Sequence, residues 1–330
     1  MKDNQEKTTA LPSIWNTIAA GFELITRHPW LLILPVLLDI FLWLGPRLSF
    51  GPLVQQLMTQ LPVDATLMDP RPMLDLIAPR TNMFTYLSVT LLGVPVLMTG
   101  LTPESTPLTP MLVDIDRWGT WAGLILGLTI VGLLLTAIYS TLIASVVVKT
   151  DNDGVNRSAS GIGELLQWIG RTWFRFGALA LLYLVLMLVI LLPITLIGAF
   201  VALISQLLAT FVILVGPVIL LSVTLFLSFT PQGMVLNRKS FLPTLADSVR
   251  LFQTNLLPAL SLLLAVIIIR QVLAWLLLAA DDGSWLTLAS ILGHAFVSTA
   301  LSAAMLIFYR DRYRLLPELL ATNPTLETVN

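Results

Sequence analysis

The sequence predicts an all-α protein that crosses a membrane as a bundle of six transmembrane helices. Hydrophobic residues make up 56% of the 330 residues and charged residues only 11%, whereas a soluble domain carries roughly 25% charged residues. Several apolar runs reach the roughly 20 residues that a helix needs to cross a bilayer. An amphipathic segment comes before such runs three times, which predicts three repeats of an interfacial helix followed by a transmembrane hairpin.

The clearest copy of this repeat runs from 242 to 282. Its first part places apolar residues at helical spacing and polar residues on the other side, which predicts a helix lying half in lipid and half in water. The apolar residues are Leu245, Val249, Phe252 and Leu256, and the polar ones are Asp247, Ser248, Arg250, Gln253 and Thr254. Residues 256–280 follow as a nearly continuous aliphatic run, which predicts a span.

The first repeat is predicted over 13–148. Ser13 is the expected N-cap of its amphipathic helix, and Pro29 marks the turn into a span over 31–44. Residues 45–119 form an extracytoplasmic insertion, and 122–148 cross back. Within the insertion 83–98 is apolar, but it is short and interrupted by glycine and proline, so we expect a re-entrant or surface-lying segment instead of a span.

The other two repeats are predicted over 160–236 and 242–314, and a polar cytoplasmic tail over 315–330. In the second repeat an interfacial helix is expected to end near Phe176, before an outward span from Ala178. The whole chain, 1–330, is therefore expected to be a single membrane domain.

Basic residues predict the orientation of these spans. Most of them fall on the side that carries both termini, and the few on the other side lie in the long insertion, where the positive-inside rule counts for less. Both termini are therefore expected in the cytoplasm, and the protein in the cell (plasma) membrane. The residues on the terminal side are Lys2, Lys7, Arg27, Lys149, Arg157, Arg171, Arg175, Arg238, Lys239, Arg250, Arg310, Arg312 and Arg314.

Three ionisable residues inside the predicted spans are the candidate site. Arg270 falls near mid-bilayer, where a lone charge costs at least about 2.5–3.5 kcal/mol, and Asp39 and His294 can be placed at similar depth. We expect Arg270 to pair with Asp39, with His294 nearby. Such a group is either a structural ion pair that fixes helix packing or a polar centre on a solute path, and the structural interpretation is favoured.

Several classes of function find no support in the residues. The chain has no cysteine and only two histidines, and it carries none of the phosphate-loop, zinc-protease or serine-hydrolase motifs. The acids of the insertion have no metal-binding spacing, and a net charge of −1 does not suggest nucleic acid. We expect no enzymatic activity, no cofactor and no metal.

The chain resembles a group of bacterial six-helix membrane proteins of unknown function. The resemblance lies in an amphipathic helix that ends in a basic or amide residue before proline and a Leu-rich span, as at 25–30 and 252–258, and in the closing segment 308–312. The group includes the membrane domain attached to some glycerophosphodiester phosphodiesterases, whose catalytic domain has no counterpart here. The resemblance implies a fold and carries no catalytic residues.

Two functions follow as hypotheses from different classes. The first is a subunit or scaffold of a membrane assembly, bounded by the lipid bilayer and contacting other membrane proteins through the 45–119 loop. The second is a carrier or channel for a small solute or lipid, with its polar centre at Arg270 and Asp39. The direction of Arg270 discriminates between them, because a carrier needs a wet cavity there and a scaffold needs a dry contact.

Overall fold

The structure, a computed structural model, describes residues 12–60, 82–88, 93–99, 106–149, 161–237, 240–278 and 284–322. Within these ranges the chain is almost entirely helical. The helices are α1 Ile14–Arg27, α2 Ile33–Leu44, α3 Gly51–Gln60, α4 Trp118–Lys149, α5 Ile162–Ala202, α6 Gln206–Phe226, α7 Thr230–Leu236, α8 Phe241–Thr254, α9 Leu256–Leu278 and α10 Thr287–Thr322. Strands β1 Arg47–Ser49 and β2 Leu112–Asp114 form one short pair, and 3₁₀ turns lie at Pro29–Leu32, Met83–Leu87 and Leu97–Thr99.

Five of the described helical segments are long and apolar enough to cross a membrane. A sixth arises if the bent pair Ile14–Arg27 and Pro29–Leu44, with 95° between its parts, counts as one span. The prediction of an all-α membrane bundle is therefore confirmed. The five segments are Trp118–Lys149, Ile162–Ala202, Gln206–Leu236, Leu256–Leu277 and Thr287–Leu316.

One predicted helix boundary is wrong. The expected break between the second interfacial helix and its span does not exist, because α5 runs without interruption for 41 residues. Only Gly177 lies at that point, and a lone glycine weakens a helix without ending it. The helix α10 continues past Arg314 to Thr322, and it therefore includes the first residues of the polar tail predicted over 315–330.

The buried face of α8 also differs from the predicted one. Asp247 and Ser248 were expected to face water, but both are buried. The Ser248 hydroxyl donates to the carbonyl of Phe226, 3.1 Å away, and Asp247 accepts a hydrogen bond from Tyr313 at 3.1 Å. Polar residues on this helix are thus used for packing against α10 and the end of α6.

By packing, the chain divides into two compact units. Unit 1 comprises Met1–Thr26, Leu181–Val266 and Ala300–Asn330, and unit 2 comprises Arg27–Ala180 and Ile267–Thr299. One boundary falls at the last residue of α1, and the other three fall inside α5, α9 and α10. Each of these helices therefore contributes one part to each unit.

In unit 1, α1 packs against α10 at backbone contact distance. A Cβ added to Gly21 would overlap the carbonyl oxygen of Ala300 and lie 2.9 Å from the Cβ of Ala304. Aromatic stacking closes the same core, where the rings of Phe229 and Phe308 lie 5.2 Å apart. Small residues therefore bring α1 onto α10, as they do between many membrane helices.

In unit 2, the described parts of the insertion pack against α4. Strand β1 pairs in parallel with β2, with Arg47 opposite Leu112. An apolar cluster joins the two sides, and the Met83–Leu87 turn reaches Gly132, where an added Cβ would lie 2.6 Å from the carbonyl oxygen of Tyr86. The cluster contains Leu53, Met83 and Ile115, with Leu48, Phe50, Trp121, Leu124, Ile125 and Leu128 packed on it.

The apolar segment 83–98 is therefore not a spanning helix in its described parts. It forms two short 3₁₀ turns, and Met83, Val94 and Met98 are buried. Its contact with Gly132 lies well inside the long helix α4.

Candidate polar centre of the membrane helices

Asp39 binds the backbone of the 3₁₀ turn Leu97–Thr99, which belongs to the insertion. Its side chain, on α2, is fully buried, and its two carboxylate oxygens accept hydrogen bonds from the backbone N–H groups of Leu97, at 3.0 Å, and Met98, at 2.8 Å. The first N–H groups of a helical turn have no partner within the turn, and a carboxylate is well suited to accept from them. Asp39 therefore caps the Leu97–Thr99 turn from a different helix.

The same turn is held by two shorter-range bonds. The Ser88 hydroxyl donates to the carbonyl of Val94 at 2.7 Å, and the Thr99 hydroxyl donates to the carbonyl of Val96 at 2.8 Å. These bonds close the segment on itself, so that its amides reach Asp39 in a fixed geometry. The expected ion pair with Arg270 is thus replaced by bonds from Asp39 to the backbone of the insertion.

Arg270 bonds to α10. Its Nη2 atom donates to the carbonyl oxygen of Ser298 at 3.2 Å. The hydroxyl of that serine lies 3.2 Å from Nε2 of His294, which is one turn earlier on the same helix. Of the three predicted residues, the structure therefore brings Arg270 and His294 together, while Asp39 is engaged by the insertion.

A third helix completes what we call the polar cluster, defined as Tyr139, Arg270, His294, Ser298 and Thr299. The Tyr139 hydroxyl, on α4, donates to the Thr299 hydroxyl at 3.1 Å. The Arg270 charge interacts electrostatically with both Tyr139 and His294. All of its members except Arg270 are buried, and Arg270 is half-buried.

Chemically, the cluster is a set of hydrogen-bond donors and acceptors around one positive charge. Such groups inside membrane helices bond to one another because lipid offers no partner. The Nδ1 atom of His294 is buried and has no hydrogen-bond partner in the part of the chain that the structure describes. Among the described residues, no group of three His, Asp or Glu side chains converges in a way that could hold a metal ion.

Sequence reasoning missed the uncharged members of the cluster. Tyr139, Ser298 and Thr299 carry no charge, and one hydroxyl in a hydrophobic helix is too common to single out. For Ser298 the sequence does hold one signal, because it lies four residues after His294 and therefore on the same face of the helix.

A second set of polar contacts, in unit 1, was also missed. The side-chain amide of Asn237 donates to the Tyr309 hydroxyl at 2.8 Å, and the Tyr309 ring stacks on Tyr313 with 5.3 Å between centroids. Through its bond to Asp247, Tyr313 joins α8 to α10. These aromatic residues looked like a helix end in the sequence, so their packing role gave no signal.

The fold and the polar cluster together define an integral membrane protein of the all-α class. Comparison with protein-family models, with curated proteins and with solved structures finds no match for this chain. What can be said of its function therefore rests on its own residues.

Proposed function

We propose that the protein is a non-enzymatic subunit or scaffold of a membrane assembly. We place it in the cell membrane of a bacterium, with both termini in the cytoplasm, in keeping with its basic residues and its resemblance to bacterial six-helix proteins. The observation that carries the proposal is the uneven burial of its apolar spans. Only 6% of the most apolar window of α5 and 11% of that in Gln206–Leu236 are buried, against 17% in α9, 22% in α4 and 67% in α10.

The two helices of the α5–α6 hairpin approach each other closely at two glycines. A Cβ at Gly198 would lie 2.5 Å from the Ile213 side chain, and one at Gly216 would lie 2.9 Å from the Leu191 side chain. These glycines let the two helices approach closely. The rest of the hairpin presents large apolar side chains outward, among them Leu184, Leu188, Leu196, Phe200, Phe211, Leu214, Val218 and Leu221.

Such a hairpin is a suitable surface for another membrane protein. Lipid solvates apolar side chains as well as a protein does, so burial alone does not drive association in a bilayer, and packing of side chains must do so. The partner we propose is a different integral membrane protein that packs its own helices on this face. The 45–119 loop offers it a second contact outside the spans.

The polar residues inside the spans support this proposal over transport. Asp39 bonds to the Leu97 and Met98 amides, and Arg270 bonds to a backbone carbonyl of α10. Groups used in this way stabilise the bundle.

Photo-cross-linking from inside the membrane tests the proposal. A photoreactive amino acid is placed at Leu188 or Phe211, which are 54% and 61% exposed, and at Leu126 of α4, which is 64% exposed and serves as a control. We expect irradiation of whole cells to give one discrete protein adduct from the hairpin positions and only lipid adducts from Leu126. Lipid adducts alone from all three positions would contradict a docking role for the hairpin.

The alternative function is that of a carrier or channel for a small solute or lipid. The observation in its favour is the gathering of Tyr139, Arg270, His294 and two hydroxyl residues around one layer of α4, α9 and α10. A carrier would retain one defined solute through purification, and an Arg270→Gln variant would lose it because the charge that orients the solute is gone. Retention of the same solute by both proteins would count against a binding role for Arg270.

A further inference from the structure

Arg47 lies directly after the end of α2, at the start of β1. The backbone N–H of Gly45 donates to the carbonyl of Phe41 at 2.9 Å and ends the helix. A Cβ at Gly45 would overlap that same carbonyl oxygen, so glycine is required for the close approach. The chain then turns through Pro46 and delivers Arg47 at the boundary of the span.

The guanidinium of Arg47 is buried at the start of β1. The residue is only 7% exposed, and neither Nε nor Nη2 has a hydrogen-bond partner among the described residues. Burial lowers the pKa of Arg47, and no described neighbour contributes an opposing charge. A buried charge in this state is costly, and proteins normally pair it with an anion.

The two unpartnered atoms are on one edge of the guanidinium. Nε–H and one N–H of Nη2 point in parallel, and this fork matches two oxygens of a phosphate or carboxylate group. The main chain of the residue is already satisfied, since the Arg47 N–H donates to the carbonyl of Met111 at 2.9 Å. The edge formed by Nε and Nη2 is therefore the part of Arg47 whose hydrogen-bonding capacity no described residue uses.

Neighbouring residues hold Arg47 in place. The side-chain oxygen of Asn82 accepts hydrogen bonds from the N–H groups of Leu48, at 3.3 Å, and Phe84, at 3.2 Å, which ties β1 to the Met83–Leu87 turn. Leu48 packs on the apolar cluster around Leu53. Because successive side chains of a strand point to opposite faces, Arg47 lies on the face away from that cluster.

Tryptophan residues mark the level of the site. The rings of Trp43 and Trp285 lie 5.8 Å apart, and those of Trp118 and Trp121 lie 5.6 Å apart. Trp43 is near the end of α2 and Trp118 begins α4. Tryptophan is enriched where spans meet the lipid head groups, which is also the level of the phospholipid phosphates.

We propose that Arg47 anchors a phosphate-binding site at this end of α2, with Nε and Nη2 donating to two oxygens of one phosphate group. The phosphate belongs either to a phospholipid head group or to a free ion. A head-group phosphate and a free phosphate ion offer Arg47 the same oxygens, so an experiment must distinguish between these two ligands.

The first arm of the test measures lipid retention. Full-length protein in nanodiscs that contain equal amounts of phosphatidylglycerol and a galactosyl diacylglycerol, which lacks phosphate, is released into a native mass spectrometer under graded activation. We expect the wild type to retain phosphatidylglycerol, and Arg47→Gln to retain it on the order of tenfold to a hundredfold less, the range expected on losing hydrogen bonds from a charged group. Arg117→Gln is the matched control, because it removes the same charge from an exposed position of unit 2.

The second arm measures thermal unfolding in detergent with inorganic phosphate or with chloride at equal ionic strength. If phosphate raises the unfolding temperature of the wild type but not that of Arg47→Gln, the site binds a free phosphate ion. If phosphate has no such effect and the wild type still retains phosphatidylglycerol selectively, the site binds a lipid head group. If Arg47→Gln does not fold, the Arg47→Lys variant is used instead, because lysine keeps the positive charge but lacks the two parallel N–H donors. Weaker retention of phosphatidylglycerol by Arg47→Lys again supports the site. Equal lipid retention by the Arg47 variants and the wild type, with no phosphate-specific stabilisation, would overturn the proposal.

Discussion

At the scale of the residue, the charged groups inside the membrane are bonded to backbone. Asp39 accepts two amide N–H groups and Arg270 donates to one carbonyl. Sequence identified both residues as important because a charge in a hydrophobic run is rare and costly. It could not identify their partners, because a backbone amide of the insertion looks like any other amide until the chain is folded.

Replacing Asp39 should release the insertion from the span. We expect Asp39→Ala to lower the free energy of unfolding by about 2–6 kcal/mol, since two buried N–H groups lose their acceptor and each such group costs roughly 1–3 kcal/mol. The chain has no cysteine, so one introduced by Met98→Cys reports on this segment alone. Its reaction with a soluble maleimide should be faster in the Asp39→Ala background.

Asp116→Ala is the control for this prediction, because it removes a carboxylate from an exposed position. It should change neither stability nor the labelling rate. Unchanged labelling at position 98 in the Asp39→Ala protein would show that the carboxylate does not hold the turn.

The hydroxyl pair of the polar cluster should show a measurable coupling. A double-mutant cycle of Tyr139→Phe and Thr299→Ala, measured by unfolding in mixed micelles, is expected to give about 0.5–2 kcal/mol, the range found for hydrogen bonds between membrane helices. A cycle of Tyr139→Phe with Thr224→Ala should give none, because the Thr224 hydroxyl bonds within its own helix, to Leu220. Equal coupling in both cycles would contradict the bond between α4 and α10.

At the scale of the element, glycines set where helices and turns meet. Gly21 and Gly132 lie against backbone atoms of distant segments, whereas Gly127 and Gly170 have open space around them. All four look alike in the sequence. Whether another segment packs closely against a glycine depends on which segment the fold brings there. The helices could therefore be predicted from periodicity, but the contacts between them could not.

The contact between α4 and the insertion should be sensitive to one methyl group. Gly132→Ala would place its Cβ 2.6 Å and 2.7 Å from the carbonyl oxygens of Tyr86 and Leu87, which are backbone atoms that cannot turn aside. We expect a loss of about 1–3 kcal/mol in thermal or denaturant unfolding, as for other overpacked sites. Gly127→Ala, in the same helix, should be neutral or slightly stabilising, so an equal loss in both variants would contradict the packing.

The docking of α1 should respond in the same way. Gly21→Ala would collide with the backbone of Ala300, and we expect it to lower the unfolding temperature and to increase proteolysis of the α1 segment. Gly170→Ala, whose Cβ meets open space in α5, should leave both unchanged. If Gly21→Ala leaves both readouts at the wild-type level, α1 does not pack on α10 through this face.

Helix ends were predictable only where a residue enforces them. The chain breaks at His28 before Pro29, as the sequence predicted, and it also breaks at Asn255 between α8 and α9. At Gly177 the helix continues through the expected break, because nothing there removes a hydrogen-bond donor or clashes with the preceding turn. Amphipathic pattern alone therefore does not separate a surface helix from the span that follows it.

At the scale of the whole molecule, the fold class follows from the sequence far better than the function does. Hydropathy is a one-dimensional property, and a hydrophobic run long enough to span has few alternatives to a helix. The candidate site consists of a few polar groups whose partners come from distant parts of the chain. Arg270 and His294 were found by their charge, while Tyr139 and the Nε and Nη2 edge of Arg47 became visible only in the folded chain.

The central claim is that this bundle works by holding other membrane proteins and not by carrying a solute. Native mass spectrometry of the full-length protein, gently extracted from its own membrane, tests that claim most directly. We expect a stoichiometric protein partner that survives Arg270→Gln, because the partner packs on the α5–α6 hairpin. A lone bundle that retains one defined solute and loses it in the Arg270→Gln variant would contradict the claim and make the protein a carrier.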